Sequence, residues 1–141
     1  MHSILLHTHS GLRWILLLIM IFVIIKDHNI KGDPGKRIDW TLLTFLIFTV
    51  QLILGIVLYI ASPVVSFESG FMGIAKLRFF TVEHTLGMLI AYHLVMIGHF
   101  KLRKLSSDKW NKTIRIYFGI ALLIILLSIP WPFRGFGNHW F

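Results

Sequence analysis

Residues 78–101 read Arg-Phe-Phe-Thr-Val-Glu-His-Thr-Leu-Gly-Met-Leu-Ile-Ala-Tyr-His-Leu-Val-Met-Ile-Gly-His-Phe-Lys. The run is long and apolar enough to cross a bilayer, yet it carries Glu83, His84, His93 and His99. An ionisable group in hydrocarbon costs roughly 2.5–3.5 kcal/mol on insertion scales, so such residues face a partner, a cofactor or water. What these histidines meet decides how the chain is read.

Three further apolar runs accompany this one, at about 5–25, 38–61 and 114–129, with the third placed at about 79–100. At 1.5 Å per residue, ~20 residues span the ~30 Å hydrocarbon core, so the pattern predicts one domain, residues 1–141, folded as an all-α, antiparallel four-helix membrane bundle. No Lys or Arg precedes the first run and no small-residue cleavage site follows it, so it reads as a retained span. The formal charge is +8, but the basic residues cluster in the first connection, 26–37, and the third, 101–115. They read as topology determinants that place both termini outside, not as a nucleic-acid footprint. The chain has no cysteine, which excludes disulfides, thiolate metal sites and haem attached through Cys-x-x-Cys-His.

Pro34-Gly35 marks a turn and Asp39 a cap for the second helix. The second connection, 62–77, with Phe67, Phe71 and Met72, suits the outer interface, and Trp131, Phe133 and Trp140 suit an outer aromatic belt.

With both termini on one side, His7 and His9 share a depth with Glu83 and His84. Two histidines facing each other across a bundle are what an axially ligated haem requires. His7 and His9 point roughly 200° apart on a helix, so one of them faces inward; His9 shares its face with Arg13, His7 with Gly11 and Trp14. Arg13 calls for an anionic partner, which Glu83 or a haem propionate would supply. Gly87, Met88 and Ala91 leave room beside His84 for a macrocycle or for a close helix. Gln51 is placed to bond a histidine ring or to bridge two helices, and Arg78 and Arg134 to meet propionates or to snorkel. His93 reads as a buried imidazole bonded to a neighbouring group, and His99 as an interfacial side chain whose only histidine mate on its side would be His28.

Three functions follow. One is a b-type cytochrome carrying haem b near the outer face on His84 and His7 or His9, an electron carrier rather than a stand-alone enzyme, exchanging electrons with a quinol or a redox partner protein. A second is a zinc, copper or non-haem iron site on His7, His9 and His84. The third is a structural or assembly subunit without a cofactor. All three imply a multi-pass protein in the lipid bilayer with no nucleic acid, and assembly with further copies of the chain is compatible with each.

The runs His-Thr-His-Ser-Gly-Leu-Arg-Trp, Leu-Arg-Phe-Phe-Thr-Val-Glu-His and Ser-Ile-Pro-Trp-Pro-Phe-Arg, with a Trp-Phe end, resemble those of the small four-helix bacterial membrane proteins called cytochrome B. The resemblance covers nearly the whole chain. It implies an inner-membrane bundle that binds haem, with His7 or His9 and His84 as matching positions and Arg13, Glu83 and Arg134 as matching polar ones. In architecture alone the chain is similar to one half of haem A synthase. It lacks that enzyme's cysteine-containing loop, so the synthase activity does not carry over.

Overall fold

A computed structural model describes residues 2–26 and 39–136, the side chains of His2 and Ser107 excepted. Four long helices dominate it: α1 (His2–Ile25), α2 (Trp40–Ala61), α3 (Ala75–Leu102) and α4 (Trp110–Ser128). Short 3₁₀ turns lie at Phe71–Gly73, Ser107–Lys109 and Pro132–Arg134, and no strand occurs among the described residues. Each helix packs on its neighbours in sequence and α4 closes back on α1. The start of α1, the second half of α2, the start of α3 and the end of α4 meet at one end, so the helices alternate in direction.

All four helices are long and apolar enough to cross a membrane. Their outward faces carry large apolar side chains such as Ile4, Leu18, Ile60 and Leu123, whereas Thr41, Thr44, Gln51, His99 and Ser128 are turned inward. A water-soluble bundle sorts its residues the other way; lipid tolerates this arrangement because every helix satisfies its own backbone. Four such helices are what a multi-pass membrane protein requires.

Asp39 caps α2, its Oδ1 accepting from the Leu42 N–H at 2.9 Å. α3 starts at Ala75 and α4 at Trp110, earlier than apolarity alone indicates, because Lys76, Arg78, Lys112 and Arg115 interrupt the hydrophobic pattern without interrupting the helix. α3 and α4 share the most extensive contact in the bundle. A Cβ on Gly87 would meet the Ser128 Oγ and come within 3.0 Å of its Cβ, so only glycine admits α4 there. Ala91, one turn further on, is fully buried. Gly87 therefore serves helix packing and not a macrocycle. The turn at Pro34-Gly35, His28, His139 and Trp140 lie outside the described residues.

Candidate cofactor site

Within α3 the residues Phe79–Glu83 form a π turn. One extra residue per turn shifts the phase of everything that follows by about 100° and leaves a carbonyl without its usual donor. The Thr85 hydroxyl bonds the Phe80 carbonyl at 3.1 Å, and the Tyr59 hydroxyl, from α2, bonds the Thr81 carbonyl at 3.1 Å. The wide turn also brings residues five apart onto one side, so Arg78 Nε meets Glu83 Oε1 at 2.7 Å. Glu83 is consequently exposed and engaged by Arg78, although its depth and charge also suit it to Arg13.

His84 follows directly and reaches the end of α4. A helix continued past Ser128 would satisfy the carbonyls of residues 126 and 128 with the N–H groups of residues 130 and 132. Both are proline and have none. Side chains take over: the Trp131 indole donates to Leu126 at 2.8 Å, Arg134 to Leu127 at 2.5 Å, and His84 Nδ1 sits 2.7 Å from the Ser128 oxygen. A carbonyl only accepts, so the His84 proton is on Nδ1 and Nε2 carries the lone pair. A backbone carbonyl on the far nitrogen is the arrangement that orients metal-ligating histidines. Arg134 is thus a helix cap, its guanidinium also 5.0 Å from the Phe79 ring centroid.

Across from His84 stands His9 of α1, with ring centroids 6.5 Å apart and planes at 70°. Two imidazoles on opposite sides of one metal ion at ~2.0–2.1 Å per bond have centroids roughly 6–6.5 Å apart, and a tetrahedral pair roughly 5 Å. The observed spacing fits the first. His9 is held from α2: Gln51 Nε2 donates to the His9 carbonyl at 2.8 Å, and Gly55 leaves space for the ring, since a Cβ there would lie 3.3 Å from His9 Cε1. Gln51 is therefore a bridge between helices and does not bond the ring. His9 Nδ1 and Gln51 Oε1 are both buried without a hydrogen-bond partner among the described residues.

A cavity of about 580 Å³ opens beside the two rings and is lined from all four helices. That volume falls within the ~300–1,000 Å³ usual for cofactor and ligand sites. His7, His9, His84, Arg13 and Gln51 line it; Glu83, Arg78 and Arg134 do not. His7 itself is exposed, and Arg13 lies against the Trp14 ring at 5.3 Å. Lys76, which sequence reasoning passed over, supplies a second cation to the wall. Among the described residues no cluster of three or more His, Cys, Asp or Glu side chains is gathered for a metal ion.

The other histidines of α3 lie elsewhere. His93 is exposed, not buried, and its Nδ1 donates to the Leu89 carbonyl one turn back at 2.8 Å. His99 is buried at the far end of the bundle and meets Thr41. Compared with protein-family models, with curated proteins and with solved structures, the chain matches none of them.

Proposed function

We propose that the chain is a haem-binding membrane cytochrome of the b type, with His9 and His84 as the two axial ligands. The observation that carries this reading is the 6.5 Å separation of the two rings beside a cofactor-sized cavity, with the His84 proton committed to the Ser128 carbonyl. A haem held by His9 and His84 would supply electron transfer rather than oxygen chemistry. His84 would present Nε2, oriented by Ser128; Gln51 and Gly55 would fix the position of His9. Arg13 and Lys76, the cations of the wall, would meet the anionic edge of the ring system. The apolar remainder of the wall suits the apolar faces of such a ring system.

A zinc or copper centre draws less support, since such ions take three or four protein ligands and the described residues bring two together. The concentration of Lys and Arg in connections 26–37 and 101–115 supports an orientation with both termini, and hence this site, on the outer face of a bacterial inner membrane. Electron exchange there would be with a quinol or a redox partner protein.

The test is the visible spectrum and metal content of the full chain, expressed with ample haem and purified in detergent. A Soret band with bis-histidine visible bands and one iron per chain is expected; colourless protein, or stoichiometric zinc or copper, overturns the reading.

A further inference from the structure

At the opposite end of the bundle three side chains form a hydrogen-bonded line. The Thr41 hydroxyl lies 2.7 Å from Asp39 Oδ1 and 2.8 Å from His99 Nδ1. Asp39 also accepts from the Leu42 N–H, the sign of an ionised carboxylate at a helix start. An ionised carboxylate only accepts, so the hydroxyl gives its single proton to Asp39 and must receive one from His99. The neutral imidazole therefore carries its proton on Nδ1, and Nε2 is a bare lone pair.

That Nε2 is buried and has no hydrogen-bond partner among the described residues, in a side chain only 1% exposed. The ring lies parallel to Phe45, at 7° and 5.8 Å between centroids, with Phe100 edge-on at 5.2 Å. While His99 is neutral the line bears a net charge of about −1; a proton on Nε2 converts it into a neutral imidazolium–carboxylate pair bridged by one hydroxyl. The carboxylate end of the line is exposed, so Asp39 stays ionised and offers a proton on His99 a partner of opposite charge.

We propose that Asp39, Thr41 and His99 form a proton-binding site at the end of the bundle away from His9 and His84, the proton residing on His99 Nε2 and its charge balanced by Asp39 through Thr41. The described charged groups around it are few. Asp39 faces it from α2, and Arg103 follows its own helix. Lys26, at the end of α1, is turned onto the Phe22 and Trp40 rings, and Lys101 bonds the Tyr117 hydroxyl of α4 at 3.1 Å. A proton on His99 would thus meet one charge of its own sign, Arg103, and one of opposite sign, Asp39, reached through the Thr41 hydroxyl. The site stands or falls independently of haem.

¹⁵N-histidine NMR of the full chain in micelles, with His99 identified by sequential assignment, tests the proposal. Expected are an Nδ1–H tautomer for neutral His99, proton uptake at Nε2 as pH is lowered, and a fall in the midpoint of about one pH unit, tenfold in proton affinity, in Asp39→Asn. Asparagine keeps the helix cap, so this variant removes charge and not structure. An Nε2–H tautomer, a His99 that stays neutral down to about pH 4, or an unchanged midpoint in Asp39→Asn overturns it. The wild-type tautomer and titration decide even if the variant does not fold.

Discussion

The two ends of α3 solve one problem in two ways. His84 and His99 lie roughly 22 Å apart along the helix and each donates its Nδ1–H to an oxygen of a neighbouring helix, leaving Nε2 bare. At His84 the acceptor is an uncharged carbonyl, the ring faces a second imidazole, and a cavity lies beside them. At His99 the acceptor is a hydroxyl backed by a carboxylate, and the ring is closed in by aromatic side chains. The surroundings separate the two rings: His84 faces a second imidazole and a cavity, whereas His99 is packed among aromatic rings and linked through a hydroxyl to a carboxylate.

The sharpest way to break this comparison is to remove each ligand in turn. His84→Ala and His9→Ala are each expected to lose at least about tenfold in haem per protein while the helical circular dichroism is kept, whereas His7→Ala retains haem and His99→Gln leaves its content unchanged. Equal haem content in all four variants would end the assignment. Gly87→Val forces α4 away from α3 and should destabilise by about 2 kcal/mol, read as a lower melting temperature in detergent.

Asp39→Ala removes the α2 cap and should cost about 1 kcal/mol with no change in haem content, which would separate the two ends energetically. Partial burial pushes the Asp39 carboxyl up, but bonds from the Leu42 N–H and the Thr41 hydroxyl, with His99 nearby, outweigh it and hold the group below its ordinary value. The contribution of a carboxyl held low is complete above about pH 4 and is lost as pH falls through the folded value. Acid should therefore lower the melting temperature of the wild type more than that of Asp39→Asn. Gly55→Ala presses on His9 Cε1 and is expected to weaken haem binding by about 0.5–1 kcal/mol, followed by titration of the apoprotein. Arg78→Ala, which breaks a half-exposed pair, should change stability by less than about 0.5 kcal/mol and leave the spectrum unaltered.

Four apolar runs made the helices legible, and the shared depth of His9 and His84 made one end of the bundle legible as a candidate site. Four things were hidden. Phase alone could not choose between His7 and His9, because both lie in the same turns; the choice depends on where α2 passes, which Gln51 and Gly55 determine. The π turn has no sequence signature here, so the phase of Glu83 relative to His84 and its pairing with Arg78 escaped the regular-helix reading. The acceptor for His84 is a main-chain oxygen, which no residue type announces. Pro130 and Pro132 did carry a signal, since each removes the donor for a carbonyl four residues earlier. Histidine spacing points His99 toward His28, whereas its partner in the structure is the hydroxyl of Thr41, two residues past Asp39.

The Ser128 carbonyl makes His84 part of the ending of α4 as well as a wall of the cavity. Ordering a mobile side chain at the moment of binding costs roughly 0.5–1.5 kcal/mol, and a ring already tethered at one nitrogen avoids most of that cost. Filling and emptying the cavity then leaves the helix terminus intact, so the protein would survive loss of its guest as a folded receptor, ready to be recharged.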